Sequence, residues 1–231
     1  MKLNILALLS SAILFSSPAF ADGVSIGGTR LIYLSNEQEA DIAVENTNPD
    51  APVLIQSWVS EIGDNNKSPF VVTPPLFRLD AGSTNNLRVI HTSGHLAENK
   101  ETLYMLNIKV IPQNMSRAGE NILQFAIKNQ LKLIYRPVSL PGSSLDAAKN
   151  LHWRKSGNQL HAVNSSPYYV TVTSFNWGGQ EVKTSVDHSV LAPGGSQDYR
   201  IPSVGSGQNI AWNTLDDFGA PQHFSAVLAG R

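Results

Sequence analysis

The sequence contains no cysteine in 231 residues. That absence excludes disulfide scaffolds, CxxC redox sites, thiolate zinc sites and cysteine nucleophiles together. It is also short of net charge: 17 Lys and Arg against 18 Asp and Glu leave a formal charge of -1. A nucleic-acid partner would call for a basic surplus on some surface, so that class is set aside. Catalytic signatures are scarce as well. There is no GxSxG elbow, HExxH pair, P-loop or GxGxxG turn, and no spacing that joins a general acid to a base. Asp217-Phe218-Gly219 spells the kinase triplet without a glycine-rich loop before it, and the six histidines are dispersed. The reading is a protein with no catalytic residue, no metal site and no cofactor. What remains is a 42% hydrophobic composition, ample for a buried core and too apolar for disorder.

The first residues set a compartment. Lys2 precedes an apolar run over residues 5–15, and Ser16-Ser17-Pro18 leads into Ala19-Phe20-Ala21. A basic start, a short apolar core and an A-x-A site describe a secretory signal peptide, too short to span a bilayer. Residues 1–21 are therefore expected to be cleaved. With no cysteine after the run to carry a lipid, the mature chain is expected to be exported, with no membrane insertion.

From there the period is two. Ala40-Asp41-Ile42-Ala43-Val44-Glu45-Asn46 alternates and ends in Thr47-Asn48-Pro49-Asp50, and short strands are expected over 53–59, 70–73, 86–90 and 104–111. A longer alternation covers 123–135. Strands at such spacing, separated by turn residues, indicate a β-sandwich. Arg136-Pro137 interrupts the ladder pattern. A second strand-rich unit then follows over 159–164, 168–177, 198–201, 209–215 and 223–228, with one helical turn near 145–150. The expected divisions are residues 22–136 and 137–231, and the fold class is all-β, two sandwiches in tandem.

Two features exceed this background. Leu123-Gln124-Phe125-Ala126-Ile127 alternates large apolar with small or polar residues, which by itself describes a half-buried strand. Arg30 in Gly28-Thr29-Arg30-Leu31-Ile32-Tyr33 and Lys132 in Leu131-Lys132-Leu133-Ile134-Tyr135 are isolated cations in apolar strands, positions that usually serve as edge guards.

At these residues the sequence resembles the periplasmic pilus chaperones, the immunoglobulin-like fimbrial assembly chaperones of Gram-negative bacteria. The resemblance runs through the Arg30 and Lys132 segments, Leu54-Ile55-Gln56-Ser57-Trp58-Val59, and Pro69-Phe70-Val71-Val72-Thr73-Pro74-Pro75. It continues through Asn86-Leu87-Arg88-Val89-Ile90, Pro167-Tyr168-Tyr169-Val170-Thr171-Val172 and Asp216-Asp217-Phe218-Gly219-Ala220. It implies two immunoglobulin-like domains set at an angle, boomerang fashion, and a periplasmic location. The partners it implies are pilus subunits, pilins and tip adhesin, together with an outer-membrane usher. It further implies that Arg30 and Lys132 bind a subunit's C-terminal carboxylate, that Leu123, Phe125 and Ile127 form a donor strand, and that Arg88, Glu101 and Asp217 form an interdomain salt-bridge cluster. The extra carboxylate of Asp216 leaves open which aspartate serves the bridge. The short segment over 113–121, without flanking cysteines, resembles the subfamily serving rod-like, adhesin-tipped pili. Period-two counting puts Lys132 on the face opposite Leu123, Phe125 and Ile127, so the resemblance calls for a bulge near Asn129-Gln130. The competing readings are an exported immunoglobulin-like pilin or adhesin subunit and a sugar-binding module. The first would call for a disulfide and the second for an aromatic platform, whereas Trp58, Trp153, Trp177 and Trp212 are scattered.

Overall fold

A computed structural model describes residues 23–63, 68–113, 123–201 and 209–228. The expected signal peptide and all of the short segment but Gln113 lie outside the described residues.

Alternation decides the first domain. Its strands are β1 (Val24–Ile26), β2 (Arg30–Leu34), β3 (Glu39–Asn46), β4 (Val53–Ser60), β5 (Phe70–Thr73), β6 (Leu76–Leu79), β7 (Thr84–His91), β8 (Thr102–Pro112) and β9 (Ile127–Arg136). They form two sheets, ordered β1-β3-β7-β5 and β2-β9-β8-β4-β6. Inward residues of both sheets, among them Tyr33, Val44, Ile55, Leu87, Leu106, Ile108 and Leu133, meet in one core. Phe70 sits edge-on to Tyr33 and Tyr104, each at 5.1 Å between centroids, an arrangement that adds to plain burial.

The second domain holds a single turn of helix, α1 (Ser144–Lys149), then β10 (His152–Ser156), β11 (Gln159–Val163), β12 (Val170–Trp177), β13 (Gln180–Lys183), β14 (Val190–Leu191), β15 (Ser196–Arg200), β16 (Asn209–Leu215) and β17 (Pro221–Val227). The sheets are β10-β11-β15 and β13-β12-β16-β17, with β14 on β12. Aromatic rings fill the space between them: Trp153, Phe175, Trp177, Tyr199 and Trp212 are all buried. The Trp212 indole N–H donates to Ala148 O at 2.9 Å and ties α1 to this core. Ser143 caps that helix, its hydroxyl accepting from the Asp146 amide.

Five strands escape the sequence pattern: β1, β6, β10, β13 and β14. They run two to five residues each and most lie at sheet edges, too short to show a period. The domains also share a device invisible to the period. Asn46 ends β3, and its buried amide donates to Ala51 O, Leu79 O and Asp80 O. Asn164 follows β11 and donates to Tyr168 O, Leu191 O and Ala192 O. Each asparagine satisfies a loop that crosses between sheets, where no ladder can.

Candidate functional site

Strand β2 lies parallel to β9, with Arg30 directly opposite Lys132. Side chains on β9 alternate: Leu131, Leu133 and Tyr135 enter the core, so Lys132, Ile134 and Arg136 leave by the outer face. Register against β8 runs without interruption from Tyr135 to Ile127. The bulge expected near Asn129-Gln130 is therefore absent. None is needed, because Lys132 belongs on the face opposite the core row.

The outer face meets the second domain. The Lys132 ammonium donates to Thr171 Oγ1 at 3.3 Å, and Arg30 Nη1 reaches Leu215 O at 3.5 Å. Burial, with Arg30 adding repulsion, pulls the Lys132 amine down to about 8. Burial also lowers the Arg30 guanidinium from its ordinary value, against the carboxylates of Asp217, Asp216 and Glu101. Arg30 Nε is buried and has no hydrogen-bond partner among the described residues. A donor so placed is costly unless an acceptor arrives. Arg30 also lines an open cleft of about 460 Å³, together with Ile32, Leu34, Asp41, Arg136 and Phe218.

Next to this pair the domains are latched. Arg136 Nε donates to Glu101 Oε1 at 2.5 Å, and its two terminal nitrogens hold both Asp217 oxygens at 2.6 and 2.7 Å. Planar, bidentate pairing suits guanidinium and carboxylate shapes. The second Glu101 oxygen accepts the Tyr169 amide at 2.5 Å, so this fully buried carboxylate touches both domains. Burial pushes the Glu101 carboxyl up, opposed by the Tyr169 amide and by Arg136. For Asp217 burial acts upward too, but hydrogen bonds and charge from Arg136 hold it below its ordinary value. For Arg136 burial acts downward, yet Asp217 and Glu101 outweigh it and raise the group. The hairpin carrying Asp217 is shaped by its neighbour. Asp216 accepts from the amides of Phe218 and Ala220 and from the Gln222 side chain.

The third feature is an edge. Strand β2 covers β9 only from Lys132 onward, so among the described residues β9 is bonded over Ile127 to Leu131 on one side alone, to β8. Residues 123–126 precede it without strand pairing. Along this stretch Leu123, Phe125 and Ile127 are 78, 70 and 62% exposed. An open edge bearing a row of exposed apolar side chains is a ready template for another strand.

Of the sequence-predicted residues, the structure brings Arg30 and Lys132 side by side, and joins Glu101 and Asp217 through one cation. That cation is not Arg88. Arg88 lies on β7 of the other sheet, exposed, paired with Asp41 and Thr73, and the charge between Glu101 and Asp217 is Arg136. The bridging aspartate is Asp217. Leu123, Phe125 and Ile127 lie in line with the core row of β9 but beyond the covered sandwich. Sequence reasoning missed Arg136 and Thr171. Arg136 could have been found by counting evenly from Lys132, whereas Thr171 is set only by how the domains meet.

The chain matches two family descriptions: "Pili and flagellar-assembly chaperone, PapD N-terminal domain" over residues 23–141 and "Pili assembly chaperone PapD, C-terminal domain" over residues 146–226. It is 37% identical over 200 residues to the chaperone protein FimC of Escherichia coli strain K12, covering 86% of this chain and 81% of that one. It is 34% identical over 209 residues to the chaperone protein LpfB of Salmonella typhimurium, covering 89% of both. Among solved structures, the Salmonella enterica SafA pilin in complex with the SafB chaperone superposes with TM-score 0.80 at 31% identity, covering 91% of this chain and 99% of that one. The E. coli chaperone DraB superposes with TM-score 0.77 at 31% identity, over 92 and 99%. With its two sandwiches and family matches spanning nearly the whole described chain, this protein belongs to the PapD-like pilus assembly chaperones.

Proposed function

We propose that the protein works in the periplasm, without catalysis, by lending the open edge of β9 to pilus subunits, pilins and tip adhesin, until an outer-membrane usher receives them. The observation that carries this reading is where β2 begins. A strand laid against the free edge of β9, in the direction of β2, runs until it meets the first residue of β2, Arg30, which stands opposite Lys132. Its C-terminal carboxylate then falls between the two cations. A strand laid the other way would present its amino terminus to them and be repelled. The carboxylate thus fixes both direction and register, since charge-assisted hydrogen bonds are lost on a one-residue slip. Arg30 Nε, buried and without an acceptor among the described residues, is satisfied by it.

Leu123, Phe125 and Ile127 would enter the partner's groove. Burying three such side chains contributes about 5–9 kcal/mol gross, before the cost of association. A subunit lacking one strand of its sandwich offers the complementary apolar slot and unpaired backbone.

The test is capture from periplasm with tagged protein, wild type against Phe125→Glu. Wild type is expected to retain pilus subunits in stoichiometric amount. The variant should fold, since position 125 touches solvent, and retain none, because an unpaired carboxylate in an apolar slot costs several kcal/mol. Equal capture by the two would contradict the donor role.

A further inference from the structure

We propose that Thr171 of the second domain is a positioning residue of the carboxylate anchor, holding the Lys132 ammonium beside Arg30 so that neither domain alone makes the site. The inference rests on the reading of Arg30 and Lys132 above and deepens it.

The contacts fall in matched pairs. Arg30 and Lys132 are directly opposite on β2 and β9. Their acceptors are directly opposite too: Thr171 on β12 faces Leu215 on β16. Lys132 donates to Thr171 Oγ1 at 3.3 Å and Arg30 to Leu215 O at 3.5 Å. One cross-strand pair of the first domain is therefore seated on one cross-strand pair of the second.

Thr171 is suited to hold a charge in place. It is buried and flanked on both sides, by Val190 of β14 and Leu215 of β16, so its backbone is fixed. A hydroxyl accepts from an ammonium while carrying no charge to compete for it, and a lysine stem, left free, would spread its ammonium over many rotamers. From β8 Lys132 faces Met105, which is uncharged. The charged group acting on Lys132 is Arg30, whose own charge is favoured by the carboxylates of Asp217, Asp216 and Glu101. Within this set the Thr171 hydroxyl favours the protonated amine, against burial and the Arg30 charge.

Thr171→Val keeps the shape and deletes the acceptor; Thr171→Ser keeps the acceptor. Where Thr171→Val does not fold, Thr171→Ala makes the same deletion without the branched side chain. In the first arm the free protein carries isotope-labelled lysine, and the Lys132 signal, assigned by its loss in Lys132→Met, is followed against pH by NMR. Its midpoint is expected to fall when the hydroxyl is deleted and to stay near wild type in Thr171→Ser. An unchanged midpoint overturns the proposal. The second arm measures, by calorimetry, a short synthetic peptide alternating valine and threonine, ending in a free carboxylate or a carboxamide. Wild type is expected to prefer the acid, and the deletion to lose about tenfold or more of that preference, the size of a hydrogen bond to a charged group. Thr171→Ser should retain it. Full preference in the deletion variant overturns the role of Thr171 and leaves the anchor standing. No preference in wild type overturns the anchor itself and this inference with it.

Discussion

Lys132 is held where its charge is expensive. The amine sits at about 8, against an ordinary 10.5. Between those values the unfolded chain keeps a proton that the folded chain has released, so folding stability rises with pH across this window. Below about 8 the folded chain carries the buried charge in full. Lys132→Met fills the same space without it, and is therefore expected to melt at a higher temperature than wild type at neutral pH. The gap should close as pH climbs from about 8 to 10.5. Thermal denaturation across that range checks this, and a variant that melts lower at pH 7 would contradict it. The same variant should lose its preference for a free carboxylate. A residue retained at a cost to folding is what a binding role requires.

Elements explain what the sequence did and did not disclose. Strands with one buried face, such as β3 and β7, announce themselves by alternation, and so does β12, apolar at Val170, Val172, Phe175 and Trp177. Edge pieces like β13 and β14 do not, and neither does the loop-binding role that Asn46 and Asn164 each play in its own domain, which depends on loops rather than period. Lys132 was legible as an odd cation in a strand. Its partner on the second domain was not, because Thr171 is an ordinary strand residue until the domains meet. The resemblance points to Arg88 for the bridge where Arg136 serves, and the difference is one of sheet: the even count from Lys132 leads along β9 to Arg136, while Arg88 faces away on β7. The hairpin between β16 and β17 carries the other half of the latch and depends on Gly219. Its φ is +83°, and a Cβ there would lie 2.3 Å from Thr29 Oγ1. Gly219→Ala is expected to cost about 1–3 kcal/mol in denaturant unfolding, from the backbone conformation and the crowding together. Adding Thr29→Ala should recover the crowding part only. Complete recovery would show that the backbone conformation contributes nothing.

At the scale of the molecule, Glu101, Arg136 and Asp217 join the two domains beside the place where Arg30 and Lys132 reach Leu215 and Thr171. Glu101 has its oxygens on Arg136 and on the Tyr169 amide, one in each domain. Glu101→Ala leaves Arg136 short of one partner and the Tyr169 amide without one, a loss of about 3–5 kcal/mol for a buried pair broken on one side. Each sandwich keeps its own core, so the loss should fall on the contact between domains. Limited proteolysis between β9 and α1 is expected to quicken, and the radius of gyration from small-angle scattering to rise. Acid should act on the same latch. Asp217 is held below its ordinary value, so its contribution is present above that value and disappears as pH falls through the lowered one. Unchanged proteolysis in Glu101→Ala would mean that apolar contact, not the charged cluster, fixes the domains.

A terminal carboxylate that meets Arg30 would set the register of a strand on β9. Calorimetry on a two-by-two cycle tests it: wild type and Arg30→Ala, each with the C-terminal strand peptide of a captured subunit, as free acid and as amide. Removing one member of a desolvated charge pair typically costs about 2–5 kcal/mol of affinity. Either change alone should therefore weaken binding strongly, and the second should add little to the first. Losses that simply add would show that the carboxylate and Arg30 do not touch, and would contradict the anchor.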